Sequence, residues 1–130
     1  KLFATEHYEI EPDIICTAKS LSNGLPLSAI TGREDIMDNI QIGGFGGTFS
    51  GNPLSCEAAL AAVDFILKNK LSDKAMKIGS IVMNRFEEIQ DQTNIVGDVR
   101  GLGAMCALEF VKNRITKEPN KEKVEDVYFF

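Results

Sequence analysis

The sequence predicts an α/β chain, and three stretches carry that prediction. A short apolar run at residues 14–18 lies between Pro12-Asp13 and the loop-forming "SLSNGLP". Asn52-Pro53, a good cap followed by a good first helical residue, opens a long run of alanines and large apolar side chains. At residues 104–111 the apolar period changes to two, as in a half-buried strand.

The elements follow in order. Residues 14–18 read as a buried strand and residues 27–31 as a second one. Between them Asn23-Gly24 accepts φ > 0 and Pro26 fixes the exit. Residues 33–40 read as a short helix with Ile36, Met37 and Ile40 on one side. The helix from residue 53 to about 69 is apolar on nearly every face, so burial on most sides is expected. The next, residues 72–90, carries one stripe of Ala75, Ile78, Val82, Phe86 and Ile89 opposite a charged face. Residues 95–100 and 104–111 form a hairpin through Gly101-Leu102-Gly103. "KNRITKEPNKEK" reads as a charged loop, and residues 124–130 as a helix. The buried helix and the change of period after it predict two domains.

Two strand candidates in the first half are too few for a closed sheet, and residue 1 is not methionine, so a piece of a larger protein is expected. Hydrophobic content of 44% and charged content of 25% are those of an ordinary globular protein. The net charge of −5 disfavours nucleic acid or an anionic membrane as partner. No apolar run approaches the roughly 20 residues that span a bilayer. Cys16, Cys56 and Cys106 are isolated, without CxxC, and read as reduced, buried thiols of a cytoplasmic protein, with a mitochondrial protein as the alternative. The lone His7 reads as a surface residue, and no metal site is expected.

Two segments carry candidate chemistry. Lys19 follows the first strand directly, and the next charge is Arg33. It is either a snorkelling strand end or a placed reagent. Ligand crevices of open α/β sheets lie at the carboxyl ends of parallel strands. An amine there, partly shielded from water, is a better nucleophile, suited to Schiff-base chemistry. Ala18, Ser20, Ser22 and Gly24 leave room for a flat cofactor. The second segment, "IGGFGGTFSGNP", holds five glycines in residues 43–51. It lacks the GK[ST] of a Walker A loop, and Phe49 stands where G-x-G-x-x-G needs its last glycine. It is either a mobile loop before a capped helix or an anion cradle in which Thr48 adds a hydroxyl donor.

Together, "PDIICTAKSLSNGLPLSAITGR", "GGFGGTFSGNPLSCEAAL" and "GDVRGLGAMCALEF" resemble the class III pyridoxal-phosphate (PLP) aminotransferases, most of all their 4-aminobutyrate subgroup. The resemblance covers residues 1–111. It implies the aspartate-aminotransferase-like fold, fold type I, with a large, mostly parallel sheet domain and a small α+β domain. Residues 1–52 would end the large domain, 53–90 would be connecting helices and 91–130 would begin the small domain. Lys19, in the family's "AKS" motif, would hold PLP as an internal aldimine. Thr48 and Gly47, in the family's "GGT" motif, would bind the cofactor phosphate, with Thr48 reaching the other subunit of a homodimer.

The implied reaction moves an amino group from an ω-amino acid such as 4-aminobutyrate to 2-oxoglutarate. Ornithine or acetylornithine aminotransferase, glutamate aminomutase and decarboxylase chemistry on the same fold, and a non-catalytic module, are the alternatives. The aspartate that pairs with the pyridine nitrogen has no candidate here, and the substrate-carboxylate arginine is expected beyond residue 130. Arg33 reads as a helix start and Arg100 as a hairpin residue, so neither is assigned to catalysis.

Overall fold

The computed structural model describes residues 1–128. The chain forms two compact units, Lys1–Lys70 and a second that begins at Leu71. The division falls between the two long helices.

In the first unit, strands β1 (Ile14–Thr17) and β2 (Ala29–Gly32) pair antiparallel, with Ile14 opposite Gly32 and Thr17 opposite Ala29. β1 falls where the apolar pattern places it and β2 begins two residues later than predicted, but neither is buried. Ile14 and Ile30 are exposed, and so is Cys16, which corrects the expectation of three buried thiols. Cys56 and Cys106 are half-buried, and all three are free. The cause is the topology: a two-stranded ribbon has no neighbours to cover its faces. The antiparallel pairing also means that Lys19 does not follow a parallel strand within the described residues.

Helix α1 is only Glu34–Met37, shorter than predicted. Arg33 stands at its N-cap as expected, but its guanidinium grips Asp13 at 2.8 Å and Asp35 at 2.7 Å. Those hydrogen bonds, first to Asp35 and then to Asp13, raise its pKa further above its ordinary value. Helix α2 (Pro53–Lys68) starts where Asn52 predicts, its side-chain oxygen accepting from the Leu54 and Ser55 amides at 3.0 and 3.2 Å. Only Ser55 and Ala59 on α2 are fully buried. Leu54, Leu60, Phe65 and Leu67 are all more than half exposed, so in this chain the helix packs on one side, not on most.

In the second unit, helix α3 (Leu71–Gln92) packs on a hairpin of β3 (Val96–Leu102) and β4 (Met105–Phe110). Its inner stripe runs through Ala75, Gly79, Val82, Phe86 and Ile89. Ile78, predicted on that stripe, is 53% exposed, and Gly79 takes the place facing the hairpin. A Cβ on Gly79 would lie 1.9 Å from the Gly103 carbonyl oxygen, so only glycine lets the helix approach that turn. Ala is the better helix former by about 1 kcal/mol. Here it meets backbone that cannot swing away, and overpacking costs about 1–3 kcal/mol or more. Gly79→Ala is therefore expected to destabilise the unit by about 2 kcal/mol, read as a lower urea midpoint. An unchanged or raised midpoint would refute this packing.

A bulge at Gly97 shifts the register between Val96 and Asp98, and lets the fully buried Val96 and Val111 share the core. The loop after β4 is ordered, not merely charged. Val111 bridges to Pro119, the Asn113 side chain caps the Ile115 and Thr116 amides, and Lys117 Nζ donates to the Gly97 carbonyl. Arg100 holds Asp98 and Glu109 on the exposed hairpin face, as a structural residue would. Helix α4 is Lys121–Tyr128, starting three residues before the prediction; the last two residues of that prediction lie outside the described ones. Among the described residues no helix is long and apolar enough to cross a membrane, and no cluster of three His, Cys, Asp or Glu side chains is placed to hold a metal ion.

Candidate functional site

Lys19 opens a 3₁₀ turn, Lys19–Ser22, one residue after β1. Its φ is +55°, left-handed backbone that costs a non-glycine residue about 1–2 kcal/mol. The turn closes with Asn23 in the same region (φ +46°) and Gly24 at φ +117°. Its backbone bonds run from the Leu21 amide to the Ala18 carbonyl at 3.2 Å and from the Asn23 amide to the Ser20 carbonyl at 3.1 Å. The turn is fastened to the first turn of α2: the Ser22 hydroxyl donates to the Ser55 carbonyl at 2.8 Å. The Lys19 side chain is exposed, not shielded as expected, and its amine has no partner among the described residues. Left-handed backbone alone does not single out Lys19, since Lys70 (φ +49°) and Lys117 (φ +57°) share it; what sets Lys19 apart is its place in the turn that follows β1.

The glycine-rich loop forms one wall of an open groove of about 950 Å³, lined by residues 26–30 and 44–51. Thr48 and Gly47 are among its lining residues; Lys19 is not. The Thr48 hydroxyl and amide make no hydrogen bond among the described residues, and neither do the amides of Phe45, Gly46 and Phe49. The Gly47 amide is engaged, donating to Ser50 Oγ at 2.7 Å. Gly47 therefore offers room more than a donor: a Cβ there would meet nothing nearer than Ser50 Oγ at 3.8 Å. Gly46, at φ +140°, holds a conformation that side chains rarely adopt. A set of unengaged N–H and O–H donors beside open space fits an anion such as a phosphate ester. An exposed primary amine fits a carbonyl compound.

Sequence reasoning missed three features. Residues 26–30 read only as a loop and a strand, yet they form the opposite wall of the groove. Ser50 has no place in the sequence reading, yet its hydroxyl oxygen accepts from the Gly47 amide and orders the loop. Ser22 and Ser55 are the buried polar residues of the described chain, and they bond one another across 33 positions. No local signal marks that pair, since serine is common both in loops and in first helical turns.

The family model described as aminotransferase class-III matches residues 1–127. A 4-aminobutyrate aminotransferase of Mycobacterium leprae is 48% identical over 126 residues, 97% of this chain and 28% of the relative. A leucine/methionine racemase of Thermococcus litoralis is 42% identical over 127 residues, 98% of this chain and 29% of the relative. Among solved structures, the taurine:2-oxoglutarate aminotransferase of Bifidobacterium kashiwanohense, in complex with PLP and glutamate, superimposes with a TM-score of 0.83 at 28% identity. That match covers 90% of this chain and 27% of the other. The chain thus spans less than a third of the length of the relatives it matches, and its architecture is a portion of the fold-type-I aminotransferase fold. Matched by the family model along almost its whole length and 48% identical to a curated member over 126 residues, this chain belongs to the class III aminotransferases.

Proposed function

We propose that the whole protein is a PLP-dependent aminotransferase that moves an amino group from an ω-amino acid, 4-aminobutyrate foremost, to 2-oxoglutarate. The observation that carries this reading is the pair of unpartnered groups in a chain of this family: the Lys19 amine in its left-handed turn and the Thr48 donors in their groove. PLP, when bound, supplies the electron sink that makes a proton next to the amine labile. Lys19 Nζ is the covalent anchor and, once released, the group that carries that proton. The Thr48 hydroxyl and the free loop amides bind the phosphate, with Gly47 keeping the approach open. The pyridine-nitrogen partner and the substrate-carboxylate arginine belong to residues outside this chain.

Lys19 does not line the groove that holds Thr48. The family resemblance implies a homodimer in which Thr48 serves the partner's cofactor. The exposed apolar residues of α2 just after this loop support the same reading. In the whole protein, residues 1–52 end the large domain, 53–90 connect and 91–130 begin the small domain. A cytoplasmic or mitochondrial-matrix location suits free thiols.

The test is acceptor dependence. The full-length protein with PLP is expected to consume 4-aminobutyrate only when 2-oxoglutarate is present, forming glutamate one for one. The racemase relative supports a second reading, in which one amino acid is inverted with no acceptor. Inversion of leucine without 2-oxoglutarate, and no glutamate formed, would favour it.

These 130 residues alone are expected to show no transamination and to self-associate. Leu54, Leu60, Phe65 and Leu67 leave one helix with a large apolar surface open to water. Turnover of 4-aminobutyrate by the isolated, monodisperse chain would refute this.

A further inference from the structure

We propose that Ser22 is a positioning residue for Lys19, acting through its buried hydrogen bond to helix α2. The inference rests on the reading of Lys19 as the cofactor-bearing lysine. Ser22 is 1% exposed and ends the 3₁₀ turn that Lys19 begins, so the two residues bound the same four-residue unit. Lys19 at φ +55° holds disfavoured backbone, and such a turn persists only where its surroundings hold it. The backbone bonds at 3.1–3.3 Å that close it are long, and all of them are local. The shortest tether is the 2.8 Å bond from Ser22 Oγ to the Ser55 carbonyl, with Ser55 itself 3% exposed.

The acceptor lies in the third residue of α2, where Asn52 caps the helix and fixes its start. Asn52 in turn ends the glycine loop that carries Thr48. The Ser22 bond therefore ties the lysine turn to the helix that anchors the phosphate-binding loop of the same chain. Helical geometry gives the Ser55 carbonyl a second donor, the amide four residues on. Removing the Ser22 hydroxyl then strands no buried acceptor, and the loss is that of the tether alone. A looser turn lets Lys19 leave its disfavoured backbone and spreads the positions of its amine.

The full-length protein tests this with Ser22→Ala, the hydroxyl-retaining Ser22→Thr, and Ser55→Ala, which keeps the carbonyl acceptor. The first readout needs no cofactor: hydrogen exchange of the peptide spanning residues 18–25 is expected to quicken about tenfold in Ser22→Ala, with residues 96–110 unchanged. The second is the pH titration of the visible absorbance of the Lys19–PLP chromophore. Its midpoint is expected to move by about half a pH unit or more in Ser22→Ala, to return toward the wild-type value in Ser22→Thr, and to stay put in Ser55→Ala. If Ser22→Ala does not fold, Ser22→Cys, a near-isosteric weaker donor, is expected to shift both readouts in the same direction by less.

Faster exchange with an unmoved titration would make Ser22 merely structural and overturn the proposal, leaving the reading of Lys19 intact. Wild-type exchange in Ser22→Ala would overturn it as well. Absence of a Lys19-bound chromophore in the wild-type protein would overturn the reading of Lys19, and the positioning role with it.

Discussion

Lys19→Ala is expected to abolish amino transfer by the full-length protein while leaving PLP binding measurable. On the proposed reading one amine is both covalent anchor and proton carrier, so no neighbour compensates. A positioned proton-transfer group alone contributes about 10²–10⁴-fold. Loss of the anchor adds to that, so activity should fall by at least about 10³-fold. Binding survives because the donors in the Thr48 groove belong to a different part of the chain. Borohydride treatment of the wild-type protein should fix PLP on the peptide that carries Lys19, and the variant should lose that label. Label on Lys68 or Lys70, with Lys19 unmodified, would refute the assignment. Both lie at the end of α2, Lys68 already paired with Asp64 at 2.7 Å, so they serve as internal controls.

Local chemistry was legible in the sequence wherever a residue type acts on its own backbone. Asn52-Pro53 placed the start of α2 to the residue; the glycines announced a hairpin, but Gly101 and Leu102 belong to β3, paired with Cys106 and Met105, and the turn falls at residues 103–104. The period of two placed Cys106, Leu108 and Phe110 on one face of β4. Burial was less legible, because apolar content says that a face will be covered but not by what. Residues 14–18 and the outer face of α2 are as apolar as core segments, yet Ile14 and Leu60 are exposed in this chain. Contacts between distant residues were not legible at all. Gly79 reads as a weak point in a helix until Gly103 is found against it. Ser22 reads as one of the small residues that leave room for a flat cofactor, yet it is buried with its hydroxyl on the Ser55 carbonyl. Among the site residues, Lys19 and Thr48 drew attention through motifs, whereas the separation of Lys19 from the Thr48 groove needed coordinates.

Thr48→Val is expected to weaken cofactor binding through the loss of one hydroxyl. Valine matches threonine in shape and removes only the hydroxyl. A hydrogen bond to a phosphate dianion is charge-assisted and worth about 1.5–3 kcal/mol. At about 1.4 kcal/mol per tenfold, PLP affinity should fall about 10- to 100-fold. Thr48→Ser should restore most of it, and an unchanged Kd in Thr48→Val would refute the phosphate role. Subunit exchange then decides whose cofactor the residue serves. Mixing Lys19→Ala subunits with Thr48→Val subunits gives heterodimers with one intact lysine and one intact threonine, on different chains. If Thr48 reaches across the dimer, the chain with Lys19 receives a native Thr48 from its partner. One site per heterodimer is then complete, binds PLP with wild-type affinity and turns over. The other site carries both defects. If Thr48 serves its own chain, the lysine-bearing site keeps the valine and no site is complete. Recovery toward half of wild-type activity per heterodimer is the expected result. Weak binding at every Lys19-bearing site would rule out action across the interface, and the groove would then have to meet Lys19 of the same chain.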